Sequence, residues 1–309
     1  MFFPIRRAAH GPIAVFVTLI LTPLAMDAAP QSKKFPKCCV WRVTNAKAPF
    51  YLVGSIHALS KKDYPLPEPY DIALKSSSRF LFEFNPTQHA EFQKKFEAAA
   101  KYPAGQDLRS KISPELLAWL RKNMFTVIPE ARDGNGEQLV GFDSQLRYKP
   151  WWIAQHLAAP ASYSKASPSH GLDNYFVDHA IQTGKQIGGL ESVNEHVAVM
   201  GGLSDRDSEF MLQDALSHPD NDKESGRMYK AWRKGDTNAL WAGDSTLRSK
   251  APRIAARFVD DRNVKWIPRI EAELKTNKPT VIVAGALHFS GPRSVITLLQ
   301  ARGYVIEQL

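Results

Sequence analysis

The chain has 309 residues, enough for one large domain or two small ones. Its hydrophobic fraction of 44% is that of a folded protein with a buried core and excludes a wholly disordered chain. The net charge of +9 is spread over scattered pairs such as Lys33-Lys34 and Lys61-Lys62. No basic stripe alternates with aromatics, so nucleic acid is excluded as a partner and a solvated basic surface is expected.

The first thirty residues differ from the rest. Arg6 and Arg7 precede an apolar run over residues 13–24, and small residues follow in "AMDAAP". That is the order of a charged region, a hydrophobic region and a cleavage site. We therefore expect a leader over residues 1–28, cut near Ala28 or Ala29, and a folded domain over 29–309. The apolar run holds Pro23 and is short for a membrane span. Membrane contact is expected only through the leader if it stays uncleaved, and the mature chain is expected to be exported, to a periplasm or otherwise. Cys38 and Cys39 are neighbours and the only cysteines. Adjacent Cα atoms are too close for a relaxed disulfide, and the C-x-x-C spacing of a metal site is missing. They read as free thiols, an intermolecular link or a packing pair.

Residues 40–44 and 50–54 read as strands joined by a turn at "NAKAP". A proline-rich loop follows, then a strand over 80–84 in "RFLFEF". Asn85 and Pro86 have the chemistry of a helix start, and the helix is expected to run to about Lys101, with Phe92 and Phe96 on its apolar face. Ser113-Pro114-Glu115 opens another helix, a further one follows Pro150, and one is expected from Leu172 to Thr183. "KQIGGLE" is a short strand ending at Glu191, and a mostly helical block runs from Asn194 to Thr276, with Ser204 and Asp207 as a capping pair. "PTVIVAGALH" is the clearest strand. A helix with Val295, Leu298 and Leu299 comes next, closed by Gly303, and "YVIEQL" is a last strand. Continuous apolar strands alternating with helices predict an α/β fold, with a mixed, partly parallel sheet covered by helices.

Two strands end alike. "YLVGSIHALS" carries Gly54 to His57, and "VIVAGALHFSG" carries Gly285 to His288. In an open α/β sheet, functional groups gather at the carboxyl ends of strands. The glycines are expected to let the backbone turn sharply there, presenting His57 and His288 at the rim. Glu83 and Glu191 also stand at the ends of apolar strands. One histidine at a strand end is more often a hydrogen-bonded structural residue than a ligand. Two in the same arrangement, with a glutamate inside "FLFEF", point instead to a metal or acid–base cluster, because a buried carboxylate needs a cation. No H-E-x-x-H, G-x-S-x-G or Walker loop is present. "DGNGEQ" lacks the third glycine of a dinucleotide loop, and nothing near Ser55 in sequence activates it as a nucleophile.

With these residues the chain resembles the TraB/GumN family, relatives of the Tiki-type metalloproteases. The two Gly-x-x-His motifs and Glu83 match it. So do Gly184-Lys185 and Gly189 to Glu191 within "GLDNYFVDHAIQTGKQIGGLESVNEH", Arg262-Asn263 in "DDRNVKWIPRI", and the terminal "GALHFSGPRSVITLLQARGYVIEQL". His196 stands where glutamine is more frequent. The resemblance covers about Trp41 to Leu309. It implies a fold like that of erythromycin esterases, with helical insertions capping the strand ends, and a divalent-metal-dependent hydrolase, possibly a peptidase, acting on a peptide or small-molecule substrate. His57, Glu83 and His288 would hold the metal, with zinc, manganese or cobalt all compatible. Glu191 would be a general base or a fourth ligand, Arg262 would stabilise negative charge, and Asn263 would orient the chain. The competing expectation is a binding protein without turnover. In it the helical stretches 85–165 and 194–276 would cover a cleft for an apolar or haem-like ligand, with His57 or His288 as axial group.

Overall fold

The structure, a computed structural model, describes residues 36–127, 145–157, 166–217 and 222–309. The expected leader and the "DGNGEQ" stretch lie outside the described residues. Six strands form one sheet: β1 Val40–Val43, β2 Phe50–Ser55, β3 Arg79–Phe84, β4 Gln186–Glu191, β5 Thr280–Gly285 and β6 Ile306–Gln308. Their order is β4-β3-β5-β2-β1-β6. The first four in that order are parallel, while β1 runs antiparallel to both β2 and β6. The expected mixed α/β architecture is therefore what the chain adopts.

Consecutive residues of β2 and β5 are buried, among them Leu52, Val53, Val281, Ile282 and Val283. Successive side chains of a strand point to opposite faces, so both faces of the sheet are covered. The cover comes from helices Glu68–Ser76, Leu172–Gln182, Asp261–Lys275 and Val295–Gln300, which contribute Ala73 and Leu74, Phe176 and Ala180, Trp266 and Ile270, and Leu299. A second apolar cluster lies among the helices away from the sheet, joining Leu108, Leu116 and Leu120 to Ile153 and Leu212. No helix among the described residues is long and apolar enough to cross a membrane. Cys38 and Cys39 are free, buried thiols, and burial pushes the Cys38 thiol up to about 12, so both serve packing.

One boundary moved for a physical reason. Asn85 does cap, its Oδ1 accepting from the Thr87 amide at 3.1 Å, but what it caps is a 3₁₀ turn over Pro86–Gln88. The α-helix begins at His89 and ends at Ala100. Proline suits any first turn of helical φ, so it marks the onset without choosing the winding.

The parallel register decides where chemistry can occur. β5 lies between β2 and β3, and β3 pairs in turn with β4. Gly54 stands opposite Ala284, Ser55 opposite Gly285, and Phe84 opposite Glu191. The carboxyl ends of β2, β3, β4 and β5 thus share one edge of the sheet.

Candidate functional site

The two Gly-x-x-His segments, far apart in the chain, are neighbours because β2 and β5 pair. Both histidines line one cavity of about 510 Å³ above that edge, together with Ser55, Glu83 and Arg262. The helical residues of its lining are mixed: Met228, Leu240 and Val259 stand there with Asp214 and Ser225. Of the two helical stretches expected to cover a cleft, the second lines this cavity, and none of the described residues of the first does.

Neither glycine takes the left-handed conformation that a sharp turn would need. Gly285 has φ −51° and ψ 136°. Gly54 is required by close approach instead: a Cβ there would sit 3.0 Å from the Cβ of Cys39 and 3.2 Å from that of Ala286. Gly285 contributes its backbone, whose N–H donates to Glu83 Oε1 at 2.9 Å.

Arg262 is the hub. It is 8% exposed and enters on the helix Asp261–Lys275, just after a π turn at Ala256–Asp260, an irregularity that recurs at functional sites. Nη2 donates to Glu83 Oε2 at 2.6 Å; Nε and Nη2 fork onto Glu191 at 2.8 and 2.9 Å. Nη1 donates to the Phe258 carbonyl at 3.2 Å and lies 3.3 Å from His288 Nε2. Burial is the largest influence on Glu83 and raises its pKa, but the Arg262 charge, the two histidines and the Gly285 N–H together outweigh it and hold the carboxyl well below the usual carboxylate range. At Glu191 burial is likewise overcome, by hydrogen bonds from His196 and Arg262.

Glu191 has no acceptor position left. Besides Arg262 it receives Trp266 Nε1 at 2.9 Å and His196 Nδ1 at 2.9 Å. A carboxylate offers about four lone-pair directions, and four donated bonds use them.

The two histidines differ. A carboxylate cannot donate, so the 2.9 Å contact between His57 Nδ1 and Asp173 Oδ2 is an N–H bond from the ring. That hydrogen bond, with the Asp173 charge, raises the His57 pKa. The ring is 77% exposed, so solvent screens much of the pair. His288 is buried. Asn263 gives its amide N–H to the carbonyls of His288 and Arg293, at 3.3 and 2.9 Å, so its Oδ1 accepts from His288 Nδ1–H at 2.7 Å. His288 Nε2 then carries the lone pair and faces Arg262 Nη1, with Glu83 Oε1 at 3.8 Å. Desolvation in this buried position lowers its pKa to about 4, so the ring is neutral.

The structure therefore brings together all six residues singled out in the sequence. It adds Asp173 and Trp266, which the sequence reading did not single out, and His196, which it noted only as a departure from the family pattern. His196 stacks on Phe84 with ring centroids 4.6 Å apart, and its position five residues after Glu191, across a Ser192 cap, was the available signal. Ser55 gives its hydroxyl hydrogen to Asp173 at 2.6 Å, the same oxygen that holds His57, so no serine–histidine relay exists here.

A divalent ion fits the donor chemistry of this cluster. Each histidine has Nδ1 committed to a side-chain oxygen, as metal-ligating imidazoles do, and the His288 Nε2 lone pair meets Arg262 Nη1. Two buried carboxylates face one guanidinium, with His288 neutral, leaving one negative charge for a cation to balance. In the arrangement seen, no three His, Cys, Asp or Glu side chains among the described residues form a group that could hold a metal ion. Arg262 fills the space beside His288 Nε2.

Fold and site define an α/β protein with a polar cluster at the carboxyl edge of a mixed sheet. The chain belongs to the TraB/PrgY/gumN family, whose sequence pattern matches residues 39–308. It is similar to Metalloprotease TIKI2 of Danio rerio, at 24% identity over 325 residues, covering 90% of this chain and 62% of that protein. Metalloprotease TIKI1 of Danio rerio is similar at 24% over 303 residues, covering 84% and 60%. The chain spans about three-fifths of the length of these relatives. No solved structure matches it.

Proposed function

We propose that the chain is an exported, divalent-metal-dependent hydrolase acting on a peptide or small-molecule substrate. One observation carries the reading: two imidazoles whose Nδ1 atoms are each bonded to a side-chain oxygen share a cavity with a buried glutamate. The family and the similarity to two metalloproteases support the same direction.

His57 Nε2, His288 Nε2 and Glu83 would hold the ion, with zinc, manganese or cobalt compatible with that donor set. The ion would supply Lewis acidity and lower the pKa of bound water from nearly 16 to about 7. The protein's own groups do the rest. Asn263 keeps the proton of His288 on Nδ1, so that Nε2 faces the cavity. Glu191, saturated by four donors, anchors Arg262 in its fork, and we assign it that role in place of general base. Arg262 Nη1 is then held where it can stabilise negative charge developing on a substrate oxygen.

The test combines metal analysis of the purified chain with peptidase and esterase assays. About one bound divalent ion per chain is expected, with activity lost on chelation. His57→Ala and His288→Ala should each reduce activity by at least ~100-fold, in line with the loss of a metal ligand. Activity that survives both substitutions and the chelator rejects the proposal.

A further inference from the structure

Asp173 lies in the segment "GLDNYFVDHAIQTGKQIGGLESVNEH" but was given no role in the sequence analysis, yet it is the residue on which the first Gly-x-x-His segment closes. It is the second residue of helix Leu172–Gln182. Its Oδ2 accepts two side-chain bonds, from Ser55 Oγ at 2.6 Å and from His57 Nδ1 at 2.9 Å. Ser55 ends β2 and His57 follows two residues later, so both donors come from one strand end.

An acid in the first turn of a helix is often no more than a favourable charge near the helix dipole. Here the surrounding backbone is built around the contact. The Leu172 amide donates to the Ile56 carbonyl at 3.0 Å, and the Ser167 amide to the Leu59 carbonyl at 2.8 Å. The Tyr64 hydroxyl donates to the His170 carbonyl at 2.7 Å. Gly171, just before the helix, comes so close that a Cβ there would stand 2.2 Å from the His57 carbonyl oxygen. The segment before Asp173 is thus pressed against the backbone of the histidine it contacts.

The second histidine has a matching device. Asn263, in the first turn of its own helix, accepts from His288 Nδ1. Each Gly-x-x-His histidine therefore has its Nδ1 taken by an oxygen from the head of a helix, an aspartate in one case and an asparagine in the other.

We propose that Asp173 is a positioning residue of the site: its carboxylate, held by the Ser55 hydroxyl, keeps the His57 proton on Nδ1 and leaves Nε2 to serve the cavity. The consequence for metal affinity rests on the hydrolase reading; the tautomer does not.

The experiment uses the full chain labelled with 15N-histidine and long-range proton–nitrogen correlation, at a pH where the His57 ring is neutral. The wild-type ring is expected to carry its proton on Nδ1. Asp173→Asn should keep that form, because an amide oxygen can accept as Asn263 does, while Asp173→Ala should move the proton to Nε2. A wild-type His57 protonated on Nε2 overturns the proposal without any variant, and so does an Asp173→Ala ring that still carries its proton on Nδ1. Titration calorimetry with zinc alone is the second arm. Affinity is expected to fall 10–100-fold in Asp173→Ala and to stay near wild type in Asp173→Asn. Wild-type protein that takes up no zinc but shows the expected tautomers rejects the hydrolase reading and upholds this one.

Discussion

Arg262 touches two carboxylates and two imidazoles, and little of it reaches solvent. A buried ion cluster of this kind is weak evidence for net stability, because desolvating three charges offsets most of their attraction. Breaking it is another matter. Arg262→Met would leave Glu83 and Glu191 buried without a cation, and the expected loss is about 3–5 kcal/mol in urea unfolding at neutral pH. Arg262→Lys keeps the charge but not the fork that spans Glu83 and Glu191, so it should recover only part of that loss. A methionine variant as stable as wild type would remove Arg262 from the centre of the site. The resemblance in the sequence led to Arg262 as a stabiliser of developing charge. That its first partners are two strand-end glutamates was not readable, because the contacts join residues 71 and 179 positions away.

At the scale of the strand and its turn, the Gly-x-x-His repeat was legible and its cause only in part. The expected reason was a sharp turn at each strand end where a Cβ would clash; the crowding is found at Gly54, while Gly285 instead contributes a backbone hydrogen bond. The two positions should therefore tolerate alanine differently. Gly54→Ala places a methyl 3.0 Å from Cys39 Cβ and should cost roughly 1–3 kcal/mol, as overpacking does. Gly285→Ala meets Glu83 Oε1 at 3.4 Å and His288 Cδ2 at 3.7 Å, ordinary contacts or nearly so, and should cost less. Thermal unfolding of the two variants side by side checks this; equal losses would restore the turn explanation. The central strands were legible because both faces of the sheet are buried there, which makes β2, β5 and the middle of β3 continuous apolar runs. Strand order was not. That β5 inserts between β2 and β3 depends on pairings more than 200 residues apart, and no local pattern encodes them. Asp173 was hidden for the same reason: by itself it reads as an acid at a helix start.

For the molecule as a whole, the buried site sets how stability depends on pH. The His288 pKa falls from an ordinary 6.5 to about 4 on folding, chiefly through desolvation. Between those values the unfolded chain binds a proton that the folded chain refuses, so stability falls as pH is lowered through that window. Glu83 and Glu191 also have folded pKa values below their ordinary 4.5. Their contribution is present above that value and is lost as pH drops further, in the same direction. His57 acts oppositely: its pKa is raised on folding, so its pairing with Asp173 contributes below the ordinary 6.5 and is lost as pH rises through the folded value. Solvent screening of that exposed ring keeps the term small. The chain should thus be most stable near neutrality and weaken steadily on acidification, well before the carboxylates titrate. Urea midpoints taken from pH 8 to pH 4 measure the effect. His288→Gln leaves the carboxylates in place but removes the titrating ring, so its midpoint should change less than that of wild type between pH 6.5 and 4.5. Parallel curves for the two proteins over that interval would show that His288 is not held neutral by folding, and with it would go the unprotonated Nε2 on which the proposed chemistry depends.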